Sequence, residues 1–470
     1  MSRRGPGALA TQEPSLSFAG EMHGSLREHL FPGDGLEAAA IVLCARVPGP
    51  RVRHLVRHVL HVPHGECVRE RDSITWPGDW LERAIDIAEA EALAILLIHS
   101  HPGGMLAFST ADDQSDQIVM PCLTEAVPGP HGSGIMTDDG ALIARTYGRG
   151  VEADRIGMVM VAGDDISFWW HDAPRRKRPL AFTSAMTSEL SRLTAVIVGA
   201  SGTGSIMVEQ ASRLGFGRII AIDFDVMKLK NLNRILNSRL GDAIEERLKV
   251  EMLADAVDAV HGYKILEPVP LNINKREAVR AASQGDALFS CVDTFEGRHF
   301  CDLMSAAFLM PLVDVGVTIP VRKANDGHAI ADVCGRVDYV QPGGSTLLDR
   351  EVWTPAKLSA EYLRNADEAA HKDQVQAGYM PGLAEEAPSV IALNMRAASA
   401  AMMEFIARAY PFRLDQNSKY ARTMFSLAAM EEDHVAEDQF PRGANPNLAR
   451  GDVEPLLGLP GLKAKRKQCA

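Results

Sequence analysis

Apolar and polar positions follow two different patterns along the chain, and the change falls near residue 180. In the first part, short apolar runs are interrupted by one amphipathic stretch whose apolar residues recur at helical spacing. The run "AILLIHSHP" ends at Pro102, and a helix is predicted to start near Ser109, a preferred N-cap residue type. The predicted elements are strands within 35–46, 51–62, 94–102 and 157–163, a helix over 80–92 and a hairpin over 131–148.

Beyond a linker at 171–182, strands alternate with helices. A strand at "LTAVIV" runs into a glycine turn and a helix, and the strands "RIIAIDFD" and "DALFSCVD" follow, separated by helical segments. A long apolar helix at 389–410 is expected to pack in the core of this part. Alternating strands and helices form parallel βαβ units. The predicted fold class is therefore α/β, with an N-terminal α/β domain followed by a C-terminal Rossmann-like, doubly wound domain.

Composition narrows the class of protein. At 470 residues, 46% hydrophobic and 23% charged, the chain has the composition of a globular protein of two or three domains. The net charge of −12 argues against broad nucleic-acid binding, which needs a cationic surface. No apolar run reaches the length needed to cross a bilayer, and the 7 cysteines form no CxxC pair. We therefore expect a cytoplasmic protein with no nucleic-acid or membrane partner.

Two histidines close the predicted strand 94–102. His99 and His101 are two residues apart, so they point to the same face of an extended strand, and Asp112 lies in the first turn of the next helix. Two imidazoles, one carboxylate and an open position for water describe a catalytic rather than a structural zinc site. The HxH pair alone is a weak signal, because such histidines more often serve packing or lie on the surface.

The whole string from His99 to Asp112 resembles a known motif. His-x-His-Pro, six residues, Ser109, two residues and Asp112 are similar at each defining position to the JAMM (MPN, JAB) metalloisopeptidases. Glu37 stands where that family has an upstream glutamate. The resemblance covers 15–170 and implies a JAMM metallopeptidase domain there. It implies Zn²⁺ on His99, His101 and Asp112, with Glu37 as general base towards the attacking water and Ser109 as a donor to the developing oxyanion.

The segment "VIVGASGTGS" carries Gly199, Gly202 and Gly204 between a strand and a helix. Backbone N–H groups at the start of such a helix bind phosphate oxygens, and the glycines allow close approach. Asp223 ends the next strand, about where a ribose-binding carboxylate falls. Up to this point NAD and ATP fit equally well.

The segment "DFDVMKLKNLNR" (223–234) favours ATP. It is similar, at identical spacing, to the motif of the ThiF/MoeB/HesA-like adenylating enzymes that activate ubiquitin-like proteins, and the resemblance spans 183–410. Adenylation needs cationic groups and magnesium because pyrophosphate leaves with its charge. We assign 183–462 to an ATP-dependent adenylation domain. The resemblance implies that Asp223 and Asp225 bind the nucleotide, with Asp223 on the ribose. It also implies that the triphosphate is contacted by Asn231, Arg234 and Lys249. By the same resemblance, Asp293 holds Mg²⁺.

Many members of that family carry a thioester-forming cysteine after a Pro-Gly-Gly, whereas "YVQPGGSTLLDR" offers Ser345 and Thr346 instead. Three alternatives are open. The enzyme stops at the acyl adenylate, or Cys334 accepts the acyl group, or a hydroxyl accepts it as an oxyester, with Ser345 the first candidate. Because serine is a poorer nucleophile than a thiolate, the first alternative ranks above the third.

Together the two resemblances imply a bifunctional enzyme of a bacterial ubiquitin-like modification system. The first half would process or remove a ubiquitin-like protein, and the second half would adenylate its C-terminal glycine, so that one C-terminal tail enters both sites. A conjugating enzyme is a further candidate partner, and the pairing of ThiF-like domains implies a homodimer. The alternatives are activation of a sulfur carrier in cofactor or cysteine synthesis, and a binding module in which both sites have lost activity.

Overall fold

The structure is a computed structural model, and it describes residues 13–148, 152–173, 178–324, 327–376 and 390–464. The chain forms two compact units. The first contains the described residues between 13 and 178 together with Ala306–Leu309 and 445–464, and the second contains Pro179–Ser305 and Met310–Ala444. Within the described ranges, no helix has the length and apolar character that a membrane crossing requires.

The first unit is built on one large mixed sheet. Its strands are β1 (Ser15–Ala19), β2 (Ala39–Val47), β3 (Arg53–His61), β4 (Val68–Arg69), β5 (Ile74–Thr75), β6 (Ala94–Ser100), β7 (His131–Met136), β8 (Leu142–Tyr147), β9 (Ala153–Arg155), β10 (Met158–Ala162) and β11 (Ile166–Trp170). Its helices are α1 (Gly20–Leu30), α2 (Asp79–Glu91) and α3 (Thr110–Ala126). The sheet order is β11-β10-β1-β3-β2-β6-β7-β8-β9, and β4 pairs with β5 apart from it.

The centre of this sheet positions the predicted metal ligands. The first five residues of β6 are apolar and buried, as expected for a strand covered on both faces, and His99 is the partly exposed residue of the strand. It pairs antiparallel with β2 and parallel with β7, so that His99 lies between Ala39 and Ile135. Between the two histidines, the buried Ser100 Oγ accepts a hydrogen bond from the Ala38 N–H at 2.8 Å, which ties the end of β6 to the segment that precedes β2.

From residue 179 the strands and helices alternate as predicted up to β16, after which β17, β18 and β19 follow without a helix between them. The strands are β12 (Thr194–Val198), β13 (Arg218–Ile222), β14 (Leu266–Val269), β15 (Ala287–Ser290), β16 (Leu312–Thr318), β17 (Val321–Ala324), β18 (Gly327–Ile330), β19 (Cys334–Val340), β20 (Arg422–Ser426) and β21 (Glu431–Val435). The helices are α4 (Ser184–Leu190), α5 (Gly202–Leu214), α6 (Leu240–Ile244), α7 (Lys249–His261), α8 (Arg276–Ala282), α9 (Phe295–Phe308), α10 (Pro355–Ala366), α11 (Glu368–Gln376) and α12 (Ile391–Ala409).

The sheet of the second unit has the order β14-β13-β12-β15-β16-β19-β20-β21. The strands from β14 to β16 are parallel, whereas β19, β20 and β21 extend the sheet in antiparallel fashion. The parallel part confirms the predicted α/β, doubly wound fold. The strand order reverses beside β12, and ligands of such folds bind in the crevice at the carboxyl ends of the strands at that point.

Most predicted elements occur close to their expected positions. The amphipathic helix of 80–92 is α2, the hairpin of 131–148 is β7 with β8, and the long apolar helix of 389–410 is α12. The predicted linker 171–182 begins where β11 ends, and residues 174–177 and 389 lie outside the described ranges.

The C-terminal segment 445–464 belongs to the first unit, whereas the boundary drawn from the sequence grouped residues up to 462 with the adenylation domain. Arg57 on β3 donates a hydrogen bond to the Leu448 carbonyl oxygen at 3.1 Å, and Gly451 lies against Ala45. This segment contains two 3₁₀ turns, Leu456–Gly458 and Pro460–Leu462, which are too short to give an apolar periodicity, so its position follows from packing that the sequence pattern does not encode.

Candidate functional site

The end of β6 and the start of α3 bring the three predicted metal ligands together. The Nε2 atom of His99 lies 3.0 Å from Nε2 of His101 and 3.1 Å from Oδ1 of Asp112. The other carboxylate oxygen of Asp112 lies 3.9 Å from Nε2 of His101. One donor atom from each side chain falls within 4.8 Å of the other two. The structure therefore brings the three side chains together.

A reciprocal cap at the start of α3 orients the Asp112 carboxylate. The Asp112 N–H donates to Ser109 Oγ at 3.2 Å, and the Ser109 N–H donates to Asp112 Oδ2 at 2.6 Å. Burial works to raise the pKa of Asp112, but the hydrogen bonds and charge of His99 together with the Ser109 cap outweigh it and hold that pKa below its usual range. The carboxylate is therefore ionised, as a metal ligand must be.

The tautomer of His101 follows from its surroundings. Its Nδ1 atom lies 2.8 Å from the Met105 carbonyl oxygen, and because a carbonyl oxygen only accepts, Nδ1 carries the proton. Burial lowers the pKa of His101, which favours the neutral ring. The Nε2 lone pair then points towards His99 and Asp112, the arrangement that a carbonyl partner typically imposes on metal-binding histidines.

Glu37 is held beside these ligands by its own main chain. Its N–H donates to the Glu70 carbonyl oxygen at 2.7 Å, and Arg69 Nε donates to its carbonyl oxygen at 2.7 Å. Its side-chain Oε1 lies 3.9 Å from Nε2 of His101. Burial raises the pKa of the Glu37 carboxyl to about 7, and the positive charge of His99 opposes the shift. A carboxylate with that pKa can both accept and return a proton near neutral pH.

The residues present fit a zinc ion. Two imidazole nitrogens and one carboxylate oxygen are typical ligands of catalytic zinc, and three protein ligands leave a coordination position for water. Glu37 lies next to the triad without being part of it, where a proton-transfer group is needed. The predicted role of Ser109 is compatible with its cap, because the cap uses an oxygen lone pair and not the hydroxyl hydrogen.

A second candidate site lies wholly in the second unit, where a cleft of about 700 Å³ opens at the carboxyl ends of β12 and β15. Its walls include most of the residues predicted to bind nucleotide, and Gly204 is the predicted residue absent from them. The predicted residues in the walls are Gly199, Gly202, Asp223, Asp225, Asn231, Arg234, Lys249 and Asp293.

The glycine turn between β12 and α5 requires its glycines. Gly199 has a φ of +89°, which disfavours other residues. A Cβ on Gly204 would overlap the Gly199 carbonyl oxygen, and a Cβ on Gly202 would overlap the amide of Asn394 on α12. The turn therefore brings main chain close to the cleft, and this geometry suits the approach of phosphate oxygens.

Acidic side chains brace the turn and the wall beside it. Asp223 accepts a hydrogen bond from the Ala200 N–H at 2.7 Å and from the Asp225 N–H at 2.8 Å. Burial raises the pKa of Asp223, and the nearby Lys249 ammonium opposes that shift. Lys249 is buried, and its Nζ atom lies 2.7 Å from Oδ2 of Asp225. The cleft thus holds a buried cation and two carboxylates close to the glycine turn.

The remaining predicted residues occupy the loop after β13 and the turn after β15. The side-chain oxygen of Asn231 accepts from the Lys228 N–H at 3.0 Å, so its amide nitrogen is the group that can reach a phosphate. Arg234 donates to the Lys230 carbonyl oxygen at 2.9 Å and keeps its guanidinium in the cleft wall. Asp293 is exposed in the same wall, between β15 and α9.

Arg298 and Asn394 are two of the cleft residues that were not predicted from the sequence. Arg298, in the first turn of α9, lines the cleft and lies 3.4 Å from the buried Asp314. Asn394 reaches the glycine turn from α12, and no local sequence signal links positions so far apart in the chain.

The candidate acyl acceptors lie outside the lining of this cleft. Ser345 is fully buried, and its Oγ accepts a hydrogen bond from Arg350 Nε at 2.8 Å. Thr346 Oγ1 donates to Oδ2 of Asp349 at 2.7 Å. In this conformation the structure therefore does not bring either hydroxyl to the predicted nucleotide site.

Cys334 and Cys291 are both expected to be poor nucleophiles. Cys334 lies on β19 outside the lining, and burial raises the pKa of its thiol to about 11, with Asp332 contributing in the same direction. Cys291 does line the cleft, but it is buried and burial raises its thiol pKa. A thiol with a raised pKa carries little thiolate at neutral pH.

Two family models match the two regions of the chain that contain these candidate sites. The ThiF family model matches residues 176–423, which is more than half of the chain, and the model of prokaryotic homologs of the JAB domain matches residues 20–147. Among solved structures, the chain is similar to Escherichia coli MccB with succinimide, at 15% identity, covering 56% of this chain and 68% of that one with a TM-score of 0.42.

Two curated relatives illustrate the similarity. Ubiquitin-like modifier-activating enzyme 5 of Caenorhabditis elegans is 26% identical over 159 residues, 32% of this chain and 35% of that protein. The adenylyltransferase and sulfurtransferase MOCS3 of Danio rerio is 25% identical over 125 residues, 26% of this chain and 27% of that protein. The chain thus spans about a third, or less, of the length of these relatives. The match over more than half of its length shows that the chain belongs to the ThiF family, and a JAB domain of the prokaryotic type precedes the ThiF region in its sequence.

Proposed function

We propose that this chain adenylates the C-terminal carboxylate of a ubiquitin-like protein and hydrolyses peptide or isopeptide bonds next to the same kind of C-terminus, within a bacterial ubiquitin-like modification system. The observation that carries the proposal is that two complete sets of reactive groups occur in one chain. One is the His99, His101 and Asp112 cluster with Glu37 beside it, and the other is the cleft that contains Asp223 and Lys249.

In the adenylation reaction, a carboxylate oxygen of the substrate attacks the α-phosphorus of ATP, and the bond to pyrophosphate breaks. The glycine turn would offer main-chain N–H groups to phosphate oxygens, and Asp223, which lines the same cleft, would bind the ribose. Lys249 and Arg234 supply the positive charge that the departing pyrophosphate needs. Asp293 would hold Mg²⁺, which neutralises phosphate charge when it is bound.

The placement of the candidate acyl acceptors supports direct transfer from the acyl adenylate. Ser345 is buried beneath Arg350, and the Cys291 thiol that lines the cleft has a raised pKa. We therefore propose that the activated carboxyl passes to an external acceptor, and that this chain forms no acyl-enzyme bond through those two side chains.

In the hydrolytic reaction, a zinc ion on His99, His101 and Asp112 would supply Lewis-acid chemistry that lowers the pKa of water to about 7. Glu37 takes a proton from the attacking water and returns it to the leaving amine, a role that suits its position beside the three ligands. The Ser109 hydroxyl donates to the oxygen of the scissile carbonyl as negative charge develops there. These residues can serve either the maturation of a precursor or the removal of the modifier from its targets.

A pyrophosphate-exchange assay tests the adenylation half. The full chain is mixed with ATP, Mg²⁺, radiolabelled pyrophosphate and a ubiquitin-like protein with a free C-terminal glycine. We expect exchange that depends on this protein and falls about 100-fold or more in Asp293→Asn. The matched control is Asp255→Asn, which removes an exposed carboxylate on α7 and should leave exchange unchanged. Exchange that persists without any carboxylate substrate would contradict the proposal.

The second candidate function is activation of a sulfur carrier. The similarity to a protein named as an adenylyltransferase and sulfurtransferase favours it, and so does the lack of a reactive thiol in the described part of the cleft. Both functions begin with pyrophosphate exchange, so the distinguishing experiment supplies sulfide. A thiocarboxylate at the C-terminus of the small protein would select the sulfur-carrier function. Mass spectrometry detects it as the mass increase that results when one oxygen atom is replaced by sulfur.

The proposal also includes a cytoplasmic location, a homodimer and transfer to a conjugating enzyme. The pairing of ThiF-like domains supports the homodimer. Sedimentation velocity of the purified chain tests it, because a dimer has twice the 51.0 kDa mass of the chain.

A further inference from the structure

The helix that carries Asp112 is attached to the sheet in an unusual way. In α3 the buried residues are Asp116, Met120 and Leu123, which recur at helical spacing on one face. The first of these three is a carboxylate, so no apolar side chain anchors the first two turns of α3 from this face. Ile118, also in the N-terminal half, is 72% exposed. The position of Asp112 therefore depends on polar contacts.

Arg145 on β8 supplies those contacts. Its Nε donates to Oδ2 of Asp116 at 2.9 Å, and its Nη1 donates to Oδ1 of Asp113 at 2.6 Å. Its guanidinium carbon lies 3.7 Å from the centre of the Phe108 ring, a stacked arrangement that arginine favours. Phe108 precedes the capping residue Ser109, and Asp113 follows the ligand Asp112. Arg145 thus holds the chain on both sides of the cap.

Asp116, the buried partner of Arg145, is itself held by further hydrogen bonds. Asp116 is buried, and it also accepts hydrogen bonds from the hydroxyl groups of Ser133 and Tyr147. Ser133 and Arg145 are neighbours across β7 and β8. Two positions along β7, Ile135 is paired with His99 on β6. Paired strands β6, β7 and β8 therefore connect His99 to Arg145, which holds α3.

The loop between His101 and Ser109 is held against the strands. The Gly104 N–H donates to the His101 carbonyl oxygen at 2.9 Å, and the Met105 carbonyl oxygen lies 2.8 Å from Nδ1 of His101. Leu106 is buried in a cluster with Ile135 and Ile143. These contacts fix the loop but involve no residue of α3, whose first turns are held by the hydrogen bonds of Arg145 to Asp113 and Asp116.

We propose that Arg145 is a positioning residue of the metal centre. Through Asp113, Asp116 and Phe108 it fixes the first turn of α3, so that the Asp112 carboxylate meets His99 and His101 in the geometry that zinc requires. The inference rests on the zinc site of the proposed function, and the experiment below separates the failure of one from the failure of the other.

The test measures zinc affinity of the full chain by competition with a chromophoric chelator, alongside the melting temperature of the zinc-free protein. Arg145→Met removes the fork of donors while it keeps side-chain volume. We expect its zinc affinity to fall about 10- to 100-fold, as for other groups that orient metal ligands. Arg145→Lys keeps the charge but cannot reach both carboxylates in the same way, so its affinity should be intermediate.

A matched control separates positioning from stability. Arg57 on β3 also joins the sheet to a helix, through Glu91 of α2 at 2.6 Å, but it contacts none of the metal-site residues. Arg57→Met should lower the melting temperature without changing zinc affinity. If Arg145→Met does not fold, Phe108→Leu provides the test, because it removes the stacked ring and leaves both ion pairs intact.

Cobalt substitution gives a second readout that a purely structural role would not change. The visible absorption of bound Co²⁺ reports coordination geometry, and we expect Arg145→Met to alter it whereas Arg57→Met leaves it as in the wild type. If the wild type binds one zinc that His99→Ala removes, and folded Arg145→Met binds it equally well with an unchanged cobalt spectrum, the role of Arg145 is refuted and the zinc site stands. If the wild type binds no zinc, both are refuted.

Discussion

The Oδ1 atom of Asp112, on a helix, lies 3.1 Å from the Nε2 atom of His99, on a buried strand. The sequence places both residues in one strand–loop–helix segment, but the distance between them depends on how the loop returns the helix to the strand. It exists because the cap at Ser109 points the carboxylate towards the end of β6. Two imidazoles and a carboxylate held this closely are the chemical basis for the zinc site that we propose.

Replacement of a single ligand should therefore abolish zinc binding. We expect the wild-type chain to bind one zinc per protomer and His99→Ala to bind almost none, as measured by elemental analysis after dialysis against a weak chelator. His58→Ala is the matched control, because His58 lies on β3 and pairs with Glu91 of α2 at 3.2 Å. Full zinc content in His99→Ala would show that the metal is held elsewhere.

In the zinc-free protein, Glu37 should titrate near neutral pH. Burial raises its pKa from the ordinary 4.5 to about 7, so the native state binds more protons than the unfolded state between these values. The stability of the first unit should therefore fall as pH rises from 4.5 to 7, by about 2–3 kcal/mol from this group. Urea unfolding of the wild type and Glu37→Gln across this range measures the difference.

Glu37→Gln is isosteric and stays neutral, so its stability should decline less over the same pH range. It should keep its zinc, because Glu37 is not one of the three converging ligands. Its hydrolytic rate on a fused ubiquitin-like precursor should fall about 100- to 10,000-fold, the usual contribution of a general base. Equal pH dependence in both proteins would contradict the raised pKa.

The glycine turn gives a prediction with a control in the same unit. In Gly204→Ala the new Cβ would overlap the Gly199 carbonyl oxygen, and main chain cannot rotate away as a side chain can. We expect a loss of about 1–3 kcal/mol of stability together with a weaker affinity for ATP. In Gly241→Ala on α6, no atom lies within 4 Å of the new Cβ, so ATP affinity should be unchanged. Calorimetric titration with Mg·ATP measures both variants.

Ser345→Ala tests the fate of the acyl group. It should leave pyrophosphate exchange unchanged, because the serine is buried away from the cleft. Its stability should fall by about 1–3 kcal/mol, since the guanidinium of Arg350 loses a buried acceptor. A hydroxylamine-labile, thiol-insensitive adduct of the wild type that disappears in Ser345→Ala would contradict direct transfer and support an oxyester on this residue.

The sequence by itself determined the element types and the identity of the reactive groups. The apolar runs predicted the buried strands, the alternation of strands and helices predicted the doubly wound sheet, and the spacing from His99 to Asp112 predicted a two-histidine, one-carboxylate cluster. These features are local in the chain or recur at fixed spacing, so they can be recognised from the sequence without three-dimensional information.

Only the tertiary structure decided which distant groups meet and which candidates are buried. It brought Glu37 and Asn394 to sites far from them in sequence, paired Asp116 with Arg145, and enclosed Ser345 beside Arg350. Apart from the contact between Ser345 and Arg350, which are 5 residues apart, these contacts depend on strand register and on helix packing between segments that are remote along the chain. Such pairings leave no periodic pattern in the sequence. The free energy of the whole fold determines them, and the local preferences of the residues on either side do not.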